Sequence, residues 1–343
     1  MRRLLNTLFI TTPETYLSLD GANVVVLKGE ERLGRIPLHN LESIVTMGYA
    51  GASPALMDAC MQNNISLVFL TASGRYRGRV IGKSKGNVVL RKKQYLVSED
   101  TVESCKIARN FIVAKLYNQR WMLERMTRDH GLRIDTALFK QVSYELKSFI
   151  EVIRAIEDLD SLRGIEGQAA NRYFYIFDQM ILQQKDKFYF SGRNRRPPLD
   201  KVNAMLSFAY TLLANDVAAA LETVGLDAYV GFLHRDRPGR ISLALDLMEE
   251  LRSVYADRFV ITLINRKIIN EKDFVQKENK AVILTDDGRK KFISAWQEKK
   301  QEKIQHPFLD EKISWGLVPY AQALLLSRFL RGDLDEYPPF LWK

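Results

Sequence analysis

His234 ends an apolar run, Tyr229-Val230-Gly231-Phe232-Leu233, and begins a basic one, Arg235-Asp236-Arg237-Pro238-Gly239-Arg240. An apolar stretch that delivers an imidazole to such a loop sets a ligand at a rim where an anionic substrate can enter. The segment from Ser242 to Leu251 has helical spacing and puts Asp246 and Glu249 three apart on one face, with Glu250 flanking it. A further carboxylate, Glu166, stands in Gly164-Ile165-Glu166-Gly167-Gln168-Ala169-Ala170, where it is expected to open a helix with Ala169, Ala170 and Tyr173 on the same face. Small residues there leave room beside the acid. One imidazole and two carboxylates on separate elements suit Mg2+ or Mn2+, because hard cations choose carboxylate oxygen and Mn2+ takes a nitrogen ligand more readily. Three protein ligands leave positions for water and a phosphate oxygen, where the metal polarises the phosphoryl group and activates a nucleophile. The plainer alternative makes these acids the wet side of an amphipathic helix, with Glu166 favoured by the helix macrodipole.

The other histidines offer less: His39 lies in a strand-turn region, His130 at a helix end and His306 in a turn before Pro307. No P-loop, GxGxxG segment or GxSxG elbow is present, so nucleotide hydrolysis, dinucleotide chemistry and serine hydrolysis are poor candidates. Cys60 and Cys105 stand far apart and form neither a zinc pair nor a disulfide framework, which fits a reducing, cytoplasmic location. No uninterrupted apolar run reaches about 18 residues, so no membrane span is expected. The apolar start of the chain is broken by Asn6 and Thr7 and lacks a cleavage site.

The 343 residues carry 51 Lys and Arg against 41 Asp and Glu, a formal charge of +10 that favours polyanionic partners. The surplus is local. Between Thr71 and Ser98 stand Arg75, Arg77, Arg79, Lys83, Lys85, Arg91, Lys92 and Lys93 with no acidic residue. Arg75, Arg77 and Arg79 alternate onto one face of a strand, either to contact phosphates or to protect an exposed edge from aggregation. A second basic stretch, Lys185 to Lys201, interleaves Phe188, Tyr189 and Phe190 with Arg193, Arg195 and Arg196, a mixture that suits base stacking as well as phosphate contact. The alternative for these aromatics is a strand packed beside a basic loop.

Two kinds of element must position these groups. Up to about residue 82 short β-branched and aromatic runs alternate with turns: Leu4–Ile10, Tyr16–Leu19, Asn23–Leu27, Glu31–Pro37, Leu41–Thr46, Ile65–Leu70 and Arg75–Ile81 read as strands, with a hairpin at Asp20-Gly21. Ser53-Pro54 starts one short helix. After residue 99 apolar residues recur every three or four, predicting helices near 100–129, 136–157, 164–183, 199–224, 242–257, 285–302 and 314–331. The fold class is therefore α+β in two domains: a β-sandwich-like N-terminal domain, 1–83, a basic linker, 84–98, and a mostly α-helical catalytic domain, 99–343.

Glu166 within Gly-Ile-Glu-Gly-Gln-Ala-Ala, Asn203 within Pro198-Leu199-Asp200-Lys201-Val202-Asn203 through Tyr210, and Gly231-Phe232-Leu233-His234 followed by Leu245-Asp246-Leu247-Met248-Glu249 resemble the CRISPR-associated endonuclease that acts as the spacer-adaptation integrase. The motifs occur in order, the resemblance spans essentially the whole chain, and it is nearest the type I-C branch. It implies a β-rich domain that mediates homodimerisation and a helical domain that holds Mg2+ or Mn2+ on Glu166, His234 and Glu249, with Asp246 an auxiliary acid. Many relatives have Asp at the position of Glu249, so Asp246, Glu249 and Glu250 all stay open as the third ligand. Asn203 and Tyr210 would support the site or simply pack their helix. Implied partners are double-stranded DNA with single-stranded ends, CRISPR repeat DNA, a small companion adaptation protein and a CRISPR-associated exonuclease. The implied reaction is a transesterification in which a DNA 3′-hydroxyl attacks a phosphodiester at a repeat edge, with Arg235, Arg237 and Arg240 holding the backbone. A non-catalytic nucleic-acid scaffold and a stand-alone metal nuclease are the alternatives.

Overall fold

The computed structural model describes residues 7–48, 51–71, 76–80, 82, 88–194 and 197–343. Arg75, Lys83, Lys85, Arg195 and Arg196 lie outside them. The chain divides into two compact units: residues 1–85 with 284–302 and 314–317, and residues 86–283 with 303–313 and 318–343.

The first unit builds two four-stranded sheets from β1 (Thr7–Ile10), β2 (Tyr16–Asp20), β3 (Asn23–Lys28), β4 (Glu31–Pro37), β5 (Ser43–Met47), β6 (Gly51–Ala52), β7 (Ser66–Leu70) and β8 (Tyr76–Val80), in the orders β1-β5-β7-β8 and β4-β3-β2-β6. β1, β5 and β7 run parallel, and β8 closes an edge antiparallel to β7. Parallel neighbours need a crossover, which helix α1 (Pro54–Gln62) supplies between β5 and β7. As the sequence predicts, Ser53 accepts the Leu56 N–H to start α1, and β2 and β3 form a hairpin closed at Asp20 and Asn23, with Gly21 in the left-handed region at φ +57°. Alternate residues of both sheets, among them Ile10, Leu17, Val24, Val26, Ile44 and Leu67, meet Leu56 and Cys60 of α1 in one apolar core. The architecture is α+β with a strand-rich N-terminal region and a helical C-terminal region.

The second unit contains α2 (Val88–Glu99), α3 (Thr101–His130), α4 (Thr136–Arg154), α5 (Leu159–Tyr175), α6 (Lys201–Thr223), α7 (Ser242–Leu251) and α8 (Arg258–Asn265); α9 (Asp286–Gln301) belongs to the first unit and α10 (Val318–Leu330) to the second. Asp100, Asp135, Asp158, Asp200 and Thr285 each accept a backbone N–H at a helix start, so local sequence sets most boundaries. By length and composition α6 could cross a membrane, but 67% of its apolar window is buried against the protein, as befits a core helix.

Four local readings change. The stretch 84–98, expected as a linker, contains α2. Its Leu90, Gln94 and Val97 are buried, and the side-chain amide of Gln94 donates to the carbonyls of Asp227 and Val230 at 2.8 and 2.9 Å and accepts the Asp227 N–H. The three basic residues 91–93 disguise this buried stripe. Helix α5 starts at Leu159 rather than Gly164, because Asp158 caps it, so Gly164, Glu166 and Gly167 lie inside the helix and Glu166 does not open it. The single helix expected over 242–257 is α7 followed by a π-helical turn, Arg252–Asp257, that leads into α8. Finally, Phe188 and Phe190 are buried in non-strand backbone, packed on Phe274 and Phe177 respectively, while Tyr189 is exposed.

Candidate functional site

Helices α3, α5 and α7 each contribute one charged side chain to a common point. Lys115 of α3 is buried, and its ammonium pairs with Glu166 Oε1 of α5 and lies 2.9 Å from Glu249 Oε2 of α7. The other Glu249 oxygen pairs with Arg252 at 2.9 Å, one turn later. Burial pushes the Glu249 carboxyl up, but Arg252, Lys115 and His234 together hold it down at about 2. Glu249 is therefore an ionised carboxylate in the interior. The reading that Asp246, Glu249 and Glu250 form a wet helix face is incorrect: all three are buried.

His234 arrives on a loop whose geometry Asp246 dictates. Asp246 Oδ2 accepts the N–H groups of Phe232 and Leu233 at 2.7 and 2.9 Å; Oδ1 accepts the His234 N–H at 3.0 Å and faces His234 Nδ1 at 2.5 Å. A Cβ at Gly231 would meet Asp246 Oδ2 at 2.7 Å, so only glycine allows this close approach. Arg163 fastens the same loop by donating to the Leu233 carbonyl from Nε and Nη2 at 2.9 and 2.6 Å. Asp246, expected as an auxiliary metal ligand, is thus occupied on both oxygens as the group that orients His234. With Nδ1 tied, Nε2 is the ring nitrogen left for a ligand.

A second layer braces Arg252. The guanidinium carbons of Arg252 and Arg193 lie 4.9 and 5.2 Å from the centre of the Tyr210 ring, whose hydroxyl donates to Asp257 Oδ1 at 2.5 Å. Tyr173 donates to the other Asp257 oxygen at 3.1 Å. Burial pushes the Asp257 carboxyl up to about 6 even though Tyr210, Arg252 and Tyr173 favour its charged form. The π-helical turn brings Arg252 and Asp257, five residues apart, to one tyrosine. Tyr210 therefore supports the site rather than merely packing its helix. Asn203 accepts from Arg193 and donates to the Gly192 carbonyl, at 2.6 and 2.8 Å, which ties the basic loop to α6.

Glu250 has a different task. Its oxygens accept from the Tyr337 hydroxyl, the Gln322 amide and the Phe340 N–H at 2.7, 2.8 and 2.9 Å, anchoring the segment 337–340, and burial pushes its carboxyl up to about 8 against those donors. Of the three acids left open by the sequence, Glu249 alone shares a cation with Glu166.

Among the expected phosphate contacts, Arg77 and Arg79 lie on edge strand β8. Arg235 and Arg237 are exposed beside His234, Arg235 pairing with Asp160 at 2.9 Å, and Arg240 is half-buried. Arg193 is half-buried, donating to Asn203 and Ser207 and lying against the Tyr210 ring. Sequence reasoning misses Lys115, Arg163, Arg252 and Asp257. Of these, Lys115 alone carries a signal in the sequence, a charge within the apolar stripe Phe111, Ile112, Leu116 of α3.

Among the described residues no three His, Cys, Asp or Glu side chains close around one point. The donors nevertheless suit a hard divalent cation in kind. Two carboxylates already share one cation, and the buried Glu249 Oε2 makes no aligned hydrogen bond, only the charge contact with Lys115.

The family model described as CRISPR associated protein Cas1 matches residues 8–298. The chain is 49% identical over its whole length to CRISPR-associated endonuclease Cas1 2 of Rhodospirillum rubrum, all of which it covers. It is 35% identical, over 97% of its length and 60% of the relative's, to a CRISPR-associated exonuclease Cas4/endonuclease Cas1 fusion of Geobacter sulfurreducens. Among solved structures it shares its fold with a casposase bound to integration product, at a TM-score of 0.85 and 23% identity over 99% of this chain and 95% of that one. It shares it also with a chain of a Cas6-RT-Cas1–Cas2 complex, at 0.83 and 23% over 98% of this chain and 36% of that one. With its family motifs, its paired acids and its oriented histidine, the chain belongs to the CRISPR-associated protein Cas1 family.

Proposed function

We propose that this protein is a metal-dependent DNA endonuclease and integrase of CRISPR adaptation, which inserts short DNA fragments at a CRISPR repeat by transesterification. The observation that carries the reading is the pair of acids, Glu166 and Glu249, on one shared cation beside a histidine oriented by Asp246. Glu166, Glu249 and His234 Nε2 would hold Mg2+ or Mn2+. When bound, the ion supplies charge stabilisation at a phosphodiester and a more acidic nucleophile.

The chain's own residues do the rest. Asp246 and Arg163 fix the His234 ring and loop, so that no reorganisation is needed when DNA arrives. Arg252, braced by Tyr210, keeps Glu249 ionised and aimed. Arg235, Arg237 and Arg240 stand on the same loop as His234, where they can hold the DNA backbone. The 3′-hydroxyl of a fragment gives strand transfer and water gives cleavage at the same centre.

Double-stranded DNA with single-stranded ends, repeat DNA and a second copy of this chain are the proposed partners. A Cas2-type companion and a Cas4-type exonuclease join them, in line with the Cas6-RT-Cas1–Cas2 complex and the Cas4/Cas1 fusion. Cytoplasmic work and the type I-C placement rest on sequence alone. Glu166→Ala and His234→Ala are expected to abolish divalent-metal-dependent cleavage, and the joining of a labelled fragment to a repeat-containing plasmid, while circular dichroism stays unchanged. Retained activity in either variant sinks the site. Cleavage without any joining assigns a stand-alone nuclease.

A further inference from the structure

Lys115 is the charged group that the proposed reaction does not use, although it sits at the centre of the site. It lies on the buried face of α3, and its ammonium meets Glu166 of α5 and Glu249 of α7 together. Two neighbouring carboxylates repel unless a cation lies between them. The lysine therefore keeps two helices' acids together. The oxygens it engages include Glu249 Oε2, which has no aligned hydrogen bond.

An ammonium and a divalent ion cannot both take the same oxygens. We infer that Lys115 is a built-in counter-ion that assembles Glu166 and Glu249 in the metal-free protein and must be displaced from them when a divalent cation binds, so that it sets the metal concentration at which the site loads. This rests on the metal site of the proposed function. The device gives a stable apo-protein and a raised threshold for metal, at the cost of intrinsic affinity.

The test is Mn2+ binding by the full chain, followed through the electron paramagnetic resonance of free Mn2+, together with melting temperature with and without the ion. Lys115→Met is expected to lower the metal-free melting temperature and to bind Mn2+ at least about tenfold more tightly, because a competing charge a few ångströms away is gone. Its melting temperature should also rise more on adding Mn2+ than that of the unaltered protein. Lys115→Arg, which keeps the charge, should not tighten binding. Lys115→Gln replaces the methionine variant if circular dichroism shows that one unfolded. Mn2+ binding that Glu166→Gln removes but that neither neutral variant tightens overturns this inference alone. Binding that Glu166→Gln leaves intact overturns the metal-site reading and the inference with it.

Discussion

The core between the two sheets and the charged site of the helical unit solve burial in opposite ways. Between the two sheets and α1 the described interior is apolar except for Thr15 and Thr46, whereas the helical unit buries Lys115, Asn118, Asp246, Glu249, Glu250 and Asp257. Apolar burial is favourable wherever shapes fit, so the strand-rich core needs no particular partner for any one residue. A buried charge is favourable only beside its counter-charge, so Lys115, Glu166, Glu249 and Arg252 each depend on another. The contrast marks the region of mutual dependence as the one where the proposed chemistry would sit.

The largest effect should come from breaking one of those dependences. Arg252→Met strands Glu249 without its closest guanidinium and removes one cation from Tyr210, at about 3–5 kcal/mol. Adding Glu249→Gln should recover more than about 1 kcal/mol of that loss, since contacting sites couple. Leu67→Ala in the strand-rich core should cost about 2–5 kcal/mol with no second charge substitution able to restore it. Urea titrations read both. Strict additivity of the Arg252 and Glu249 changes would erase the proposed contrast.

A smaller and more diagnostic effect is pH dependence. Asp257 has its carboxyl raised from 3.8 to about 6, so the folded protein holds that proton more tightly than the unfolded chain. Its contribution is complete below pH 3.8, declines as pH rises because only the unfolded chain has released the proton, and is fully lost above about 6. Asp257→Asn should remove this decline, so that the melting temperatures of variant and unaltered protein converge toward low pH and diverge in the variant's favour toward neutrality. Parallel curves from about pH 4 to 8 would mean that Asp257 is not protonated in the folded state.

The same contrast explains what could be read in advance. Strand alternation and the Asp20-Gly21 turn are local, and β2, β3 and their hairpin emerge where those signals put them. Glu166, His234 and Glu249 were legible as residue types within separate motifs, and Gly231 carried a trace of the close approach that Asp246 demands. The burial of three acids on α7 was not legible, because a polar face and a compensated interior face have the same spacing. Glu249 is compensated by Lys115 and Arg252, Asp246 by the 232–234 loop and Glu250 by Tyr337, Gln322 and the Phe340 N–H, and these partners, Arg252 apart, stand far away in sequence or carry no charge. The π-helical turn likewise leaves no mark in a periodicity count, since one inserted residue shifts the phase only after Leu251.

The smallest structural effect is expected at Arg77 and Arg79, on the edge strand β8 of the strand-rich unit. Changing both to Gln should leave melting temperature nearly unmoved, because edge charges add little to a core already closed by Leu67, Val68 and Leu70 of the neighbouring β7. If the pair contacts phosphate, affinity for a DNA duplex should fall and the dependence of log affinity on log salt should flatten by about 2, roughly 0.9 for each phosphate no longer neutralised. If instead the arginines protect the edge, affinity and salt slope stay as they were and the variant self-associates at concentrations where the unaltered protein does not. Binding measured across a salt series, with light scattering on the same samples, separates these outcomes. The first would give the strand-rich unit a part in DNA capture, and the second would leave function wholly on the side of the buried charges.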